Sequence, residues 1–304
     1  MMSTETTTPP AQAPAWDDTL LQNPHTVADK RGRVQRMFAA IAPSYDLNNR
    51  LHSLWMDESW RKKAVKLAGV LSSDRVVDVA CGTGDLTLRF AQALSDAANS
   101  GPGLRYRVVP PRDQVLGIDF TYEMLPLARR KAAARPVKGV GGEHTLASLA
   151  QFTCGDAMAL PLPDASADVV SIAFGIRNVA DPATAVREFF RVLRPGGRLV
   201  ILEFSLPTNA LLRGLYNFYF RKILPRTATL VSGDRTGAYK YLPESVNTFI
   251  GREQMMTMMR DAGFTQVEQH PLTFGVCVCY RGVKVLESNP NSESPKSESN
   301  PKSE

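Results

Sequence analysis

The residues best placed to do chemistry surround a pair of glycines. Residues 76–85 read Val-Val-Asp-Val-Ala-Cys-Gly-Thr-Gly-Asp. Gly82 and Gly84 permit a sharp turn and a close backbone approach to a ligand, which a Cβ would obstruct. One acid sits inside the apolar run (Asp78) and another just after the turn (Asp85). The spacing is not the G-x-G-x-x-G of pyrophosphate binders, which argues against a nicotinamide dehydrogenase. A phosphate-free cationic nucleoside suits the site better. S-adenosyl-L-methionine, with its sulfonium and ammonium groups, is such a ligand.

This turn must be held between a strand and a helix. Val76, Val77 and Val79 predict a strand buried on both faces of a parallel sheet, and Leu86, Leu88, Phe90 and Ala91 predict the helix after it. Further strands are expected at 115–119, near 151–155, at 168–174 and at 198–204. Asp181-Pro182 reads as an N-cap with proline at the first helical position. That helix carries Val186, Phe189, Phe190 and Leu193 at i, i+3, i+4 and i+7 and should stop at Pro195-Gly196-Gly197. A helix near 253–262 precedes strands at 266–272 and 276–283, whose short connection requires them to be antiparallel. A helical region over 31–69 places Trp60, Ala64, Leu67 and Ala68 on one face, with Asp57 as a candidate N-cap. The alternation defines an α/β fold, a Rossmann-like seven-stranded sheet with an antiparallel last strand, similar to class I methyltransferases.

The composition bounds the rest. The 304 residues are 43% apolar, enough for a substantial core. The net charge of +6 is spread without a Lys/Arg block, so a solvated basic surface is favoured over a nucleic-acid face. Cys81, Cys154, Cys277 and Cys279 lack zinc-like spacing and read as reduced packing residues, with no metal site. No run reaches transmembrane length and the start lacks a signal-peptide core, so the expected location is cytoplasmic, with peripheral membrane contact. Residues 1–30 are expected to form a disordered tail, 31–286 the catalytic domain, and 287–304 a disordered Ser/Asn/Pro/Glu/Lys tail. The Gly-, Pro- and Arg-rich stretches 96–114 and 136–148 read as surface insertions.

Ligands of such sheets bind outside the carboxyl ends of the strands. Thr83 and Gly84 lie in the first turn. Asp119 ends the second strand, where a carboxylate can accept both ribose hydroxyls. It stands 35 residues beyond Gly84, against the usual separation of about 20, and the 96–114 insertion accounts for the excess. Asp156-Ala157 follows the third strand, where an acid can accept an adenine amino group. Ala173 and Phe174 end the fourth, beside the methionine part of the ligand. Four successive strand ends carry the assignment together.

Four segments then resemble the ubiquinone/menaquinone biosynthesis C-methyltransferase family. They are Met-Phe-Ala-Ala-Ile-Ala-Pro-Ser-Tyr-Asp-Leu-Asn-Asn-Arg (37–50), Asp-Val-Ala-Cys-Gly-Thr-Gly-Asp-Leu-Thr (78–87), Phe-Gly-Ile-Arg-Asn-Val (174–179) and Arg-Val-Leu-Arg-Pro-Gly-Gly-Arg (191–198). The resemblance runs in order from Arg33 to Val283. It implies an S-adenosylmethionine-dependent C-methyltransferase acting on a polyprenylated quinol, with cofactor contacts at Thr83, Asp119, Asp156 and Ala157. A serine common in that family falls at Ala173 here, removing one side-chain contact. Residues 241–245 and 249–251 are closer to menaquinone-pathway members, so demethylmenaquinol is the expected acceptor. The methoxy-benzoquinol precursor of ubiquinone or another lipid-like acceptor is the alternative, and a non-catalytic cofactor-binding subunit the rival from another class. A homo-oligomer is compatible with all of these.

Methyl transfer to carbon needs a ring hydroxyl deprotonated and the adjacent carbon placed in line with the sulfonium methyl. Arg177 is expected to stabilise the phenolate oxygen and Asn178 to orient a ring oxygen, with a salt bridge to helix 181–193 the competing role for Arg177. Tyr45, Asp46, Asp85 and His52 are the candidate bases. Leu54, Trp55, Met56 and Trp60, with the aromatic run 215–220, could line a prenyl path. Arg213, Arg221, Lys222 and Arg226 flank that run as in a peripheral membrane contact.

Overall fold

The computed structural model describes residues 15–100, 113–137, 144–234 and 236–285. Seven strands form one sheet: β1 (Val76–Val79), β2 (Val115–Asp119), β3 (Ala150–Cys154), β4 (Ala167–Ala173), β5 (Leu193–Phe204), β6 (Thr265–Leu272) and β7 (Cys277–Val283). Their spatial order is β3-β2-β1-β4-β5-β7-β6. The first five run parallel, and β7 lies antiparallel between β5 and β6. The order reverses between β1 and β4, the point where a crevice opens at the carboxyl edge of such sheets.

Ten α-helices surround the sheet among the described residues: α1 (Lys30–Ile41), α2 (Tyr45–Ser53), α3 (Met56–Ala68), α4 (Asp85–Ala98), α5 (Leu125–Ala134), α6 (Pro182–Val192), α7 (Ala210–Phe218), α8 (Leu224–Ser232), α9 (Ala238–Asn247) and α10 (Arg252–Asp261). Trp60, Ala64, Phe90, Leu94 and Ala128 bury one face of the sheet, and Phe189, Met255 and Met259 the other. A third cluster, with Met37, Tyr216, Phe220 and Tyr241, caps the carboxyl edge.

Several expectations change. Ala15, Trp16 and Leu21 are buried in this cap, and Trp16 stacks on Tyr241 with ring centroids 4.5 Å apart. Residues 15–30 therefore pack with the domain; the remainder of the two expected tails lies outside the described residues. The helical region 31–69 is three helices. Asp57 does not cap one: α3 already starts at Met56, and Asp57 is buried in an ion pair with Arg61 one turn on. Asp181 does cap α6, accepting from Ala183 and Thr184. That helix ends at Val192 because Leu193 turns extended and enters β5. Cys154 is exposed at the end of β3 rather than packed, whereas Cys81, Cys277 and Cys279 are buried. Residues 96–98 form the last turn of α4, and most of that stretch, 101–112, lies outside the described residues, as do 138–143. Val137 and Leu146 flank the second stretch and join the core, so its ends are not a surface insertion.

Candidate active site

Two cavities meet at the carboxyl edge. One, of about 110 Å³, is walled by Ala80 and Gly82 after β1, Asp119 and Phe120 after β2, Asp156 and Ala157 after β3, and Ala173 and Asn178 at and beyond the end of β4. The other, of about 350 Å³, is lined mainly by apolar and aromatic side chains, including Met37, Trp60, Phe204, Tyr216 and Phe220. Phe38, Tyr45 and Phe174 line both and form the seam between them.

The polar cavity is built by its backbone as much as by its acids. Asp119 accepts the Gly82 N–H on one carboxylate oxygen and the Thr121 N–H on the other, each at 2.7 Å. Burial raises its pKa, against those bonds. Each oxygen keeps a further acceptor lone pair, enough for a vicinal diol. Asp156 accepts the Met158 N–H and pairs with Arg31 at 3.0 Å, and Arg31 lies over the Phe120 ring at 4.3 Å. Arg31 and Phe120 were not anticipated; nothing in the sequence ties α1 to the end of β2. Ala173 brings no side-chain hydrogen bond.

The glycines divide their work. Gly82 has φ +55° and faces the cavity, where a Cβ would meet only Tyr45 at 3.9 Å. Gly84, with φ +83°, does not face it: a Cβ there would lie 3.0 Å from Phe152 and 3.1 Å from Ala128. Gly84 thus allows α4 and α5 to pack close to the sheet. Thr83 is likewise turned away from the larger cavities. Its hydroxyl donates to Asp46 at 2.5 Å and accepts from Lys131 at 3.0 Å. It borders a small recess with Arg61 and Asp85 beside the same turn.

The residues proposed for catalysis separate. Asp85 reaches neither main cavity; it pairs with Lys131 at 2.7 Å and Arg135 at 3.5 Å. Burial alone would push its carboxyl up, but Lys131, Arg61 and Arg135 together hold it below the ordinary carboxylate value. Asp46 pairs with Lys131 at 2.6 Å. His52 and Tyr45 do line the apolar cavity. His52 Nδ1 lies 2.8 Å from the Asn48 carbonyl, which can only accept, so Nδ1 carries a proton. Burial raises the Tyr45 hydroxyl and keeps it protonated.

Arg177 faces the apolar cavity and Asn178 the polar one. Arg177 pairs not with α6 but with Glu203 of β5, at 2.6 Å. Burial alone would lower its pKa; Glu203 outweighs that and fixes the charge. Both Arg177 Nη1 (2.7 Å) and Asn178 Nδ2 (3.2 Å) donate to the Phe174 carbonyl, and Asn178 accepts from the Tyr241 hydroxyl at 2.9 Å. These bonds hold Phe174 at φ +57°, a costly conformation for a bulky residue that persists only when the surroundings fix it. Arg61, also unanticipated, lines the apolar cavity and the small recess and lies 5.5 Å from the Phe174 ring centroid.

A reversing parallel sheet with a glycine turn after β1 and acids after β2 and β3 defines an α/β methyltransferase. Solved structures agree at the level of fold: a SAM-dependent methyltransferase of Thermotoga maritima superposes with a TM-score of 0.50 at 21% identity, over 83% of this chain and 99% of that one. The model of the ubiE/COQ5 methyltransferase family matches residues 25–284, and the chain belongs to that family. A demethylmenaquinone methyltransferase of Deinococcus radiodurans is 44% identical, over 84% of this chain and 94% of its own. One from Thermus thermophilus is 43% identical, over 81% and 99%. The ubiquinone/menaquinone biosynthesis C-methyltransferase UbiE of Geobacter sulfurreducens is 39% identical, over 86% and 93%.

Proposed function

We propose that this enzyme transfers a methyl group from S-adenosyl-L-methionine to a ring carbon of a polyprenylated quinol, with demethylmenaquinol as its acceptor. The observation that carries this is the seam: Tyr45 and Phe174 border both a polar cavity lined by Asp119 and Asp156 and an apolar, aromatic one. The named relatives from Deinococcus and Thermus support the choice of acceptor.

The donor set suits a nucleoside cation: Asp119 has lone pairs for ribose hydroxyls, and Asp156 stands where an adenine amino group would be met. When bound, the sulfonium supplies an electrophilic methyl. Every other task falls to the chain. Phe38, Tyr45 and Phe174 confine the approach of a flat ring to the seam, the positioning that makes such a displacement effectively intramolecular. Arg177, held by Glu203, stabilises developing charge on a ring oxygen. His52 is the base we favour, since it lines the apolar cavity with Nδ1 protonated and Nε2 left as acceptor, next to Thr227 at 2.9 Å. Tyr45 then acts as a hydrogen-bond donor. Thr83 and Asp85 act indirectly, through Lys131 and the shape of the turn. Trp60, Phe204 and Phe220 accommodate the start of the prenyl chain. A prenylated acceptor resides in a bilayer, so on this reading the enzyme works at a membrane surface.

The deciding experiment supplies labelled S-adenosylmethionine with demethylmenaquinol or with the methoxy-benzoquinol precursor of ubiquinone. Faster transfer to demethylmenaquinol is expected. Faster transfer to the benzoquinol would move the enzyme to the ubiquinone branch, and transfer to neither would overturn the acceptor class.

A further inference from the structure

No helix among the described residues is long and apolar enough to cross a membrane, yet the apolar cavity opens among unusually apolar surroundings. Surface helices normally turn their apolar stripe inward. Two helices here also carry one outward. On α2, Leu47 and Leu51 are exposed at i and i+4, and Leu54 just beyond the helix extends the row at i+7. On α7, Leu211, Leu215 and Phe218 repeat the same spacing. Their exposure is 74%, 59% and 62%, while Tyr216 between them is buried beneath.

Both helices contribute other residues to the walls of the same cavity. Leu54 and Phe274 line it while 72% and 81% exposed, so they stand at its mouth, and Leu212 brings α7 to it. The α2 end is tied to the helical stretch after α7: the Tyr219 hydroxyl donates to the His52 carbonyl at 3.4 Å, and His52 meets Thr227 at 2.9 Å. The turn between α2 and α3 pushes Leu54 and Trp55 outward with φ of +51° and +61°. Such strain in two bulky residues is the kind held at functional sites.

The charge along α7 and its continuation is one-sided. Between Glu203 and Asp234 the sequence has no acidic residue and four cations, Arg213, Arg221, Lys222 and Arg226. Arg221 is paired with Glu244 from α9, while Arg213 and Arg226 give hydrogen bonds only to backbone carbonyls nearby. Amphipathic surfaces with apolar residues beside basic ones bind anionic bilayers, through buried apolar area and about 1 kcal/mol per near-surface cation.

We propose that the outward faces of α2 and α7, with Trp55 and Phe274, form a docking surface for an anionic lipid bilayer. It would seat the cavity mouth on the membrane, so that a lipid acceptor enters without crossing water. This rests on the prenylated-quinol reading for its purpose, but not for its observations. The occupant is a lipid surface rather than a second copy of the chain, because a two-fold self-interface would set the cations of α7 and its continuation against one another.

The test is flotation of the full-length protein with vesicles of phosphatidylcholine and phosphatidylglycerol, and with phosphatidylcholine alone. The wild type is expected to float with the anionic vesicles and much less with the neutral ones. Trp55→Glu and Leu215→Glu together should weaken anionic-vesicle binding at least about tenfold, since each loses burial of a large apolar side chain. Against the expectation from sequence, neither Trp55 nor Leu215 lines the apolar cavity, so transfer to a detergent-dispersed short-chain quinol should stay within about twofold of wild type, which also reports folding. Transfer to a long-chain quinol held in vesicles should fall with binding. Equal flotation of variant and wild type would overturn the proposal. So would a wild type that ignores vesicles and elutes as a dimer which the substitutions break. Normal flotation without transfer to any quinol would instead refute the acceptor and leave the docking surface standing.

Discussion

Phe174 shows how single residues set this site. Its carbonyl is gripped by Arg177 and Asn178, its ring belongs to both cavities, and its backbone is held in a conformation it would not choose. Arg177 is thus both a charge facing the apolar cavity and a strut for the seam. Arg177→Ala should lower kcat about 100-fold, as losing one charge-stabilising donor does elsewhere. The affinity for S-adenosylmethionine, read by calorimetry, should change less than about threefold. Equal losses in both would reduce Arg177 to a structural role. Because Glu203 would be left as an unpaired buried carboxylate, the comparison is best made in Glu203→Gln as well, which removes a penalty of about 3 kcal/mol. At this scale the strand-end acids could be read from sequence, because a strand's end and its loop are adjacent in the chain. Arg31, Phe38 and Arg61 could not, since helices remote in sequence deliver them to the site. Gly84 adds a packing requirement that the sequence did not announce, since Phe152 and Ala128 fill the space where a Cβ would lie.

Among the elements, the start of α1 and the segment before it have the least expected role. Lys30 is buried, and its ammonium donates to the carbonyls of Arg177 (2.9 Å) and Val179 (2.7 Å) and lies 3.2 Å from His25 Nδ1. His25 Nε2 lies 2.8 Å from the Ser245 carbonyl of α9, so Nε2 carries the proton and Nδ1 accepts from Lys30. His25 and Lys30 therefore clamp the turn that carries Arg177 to α9. Burial, with Lys30 and Arg177 nearby, lowers the His25 pKa to about 4, and burial lowers Lys30 to about 8. Between pH 6.5 and 4 the unfolded chain protonates His25 while the folded chain does not, so stability is lost as pH falls through that window. At pH 5 the loss is on the order of 1–2 kcal/mol, reduced by partial exposure. Thermal melts at pH 7.5 and 5.0 should show a smaller drop for His25→Gln than for wild type. Asp78, buried and raised to about 6, acts with the opposite sign but is present in both proteins and cancels. The strands were legible because each is a short apolar run with a clear stop. Helices α7 to α9 were not: Pro225 and Pro243 fall within them, a π-type turn joins α7 to α8, and their apolar residues face two ways.

At the scale of the whole molecule, the sheet and its reversal point followed from the alternation of elements, whereas the start of the domain did not. Composition alone cannot separate a polar tail from a polar segment with a few anchors, and Trp16 and Leu21 are such anchors. Trp16→Ala should cost about 3–5 kcal/mol in urea unfolding, as for a buried aromatic side chain. No change would return residues 15–30 to the status of a tail.

The stacking of Trp16 on Tyr241 also dictates an order of events in synthesis. The four strands β1 to β4, whose ends carry Asp119 and lead to Asp156, are complete once residue 173 has been made. Lys30 can meet the Arg177 turn soon afterwards, but Trp16 has no Tyr241 to stack on, and His25 no Ser245 carbonyl, until α9 emerges more than sixty residues later. Closing so long a loop comes late in folding, when the core it joins already exists. A growing chain would therefore assemble the acid-lined cavity first and fix the N-terminal segment to α9 last.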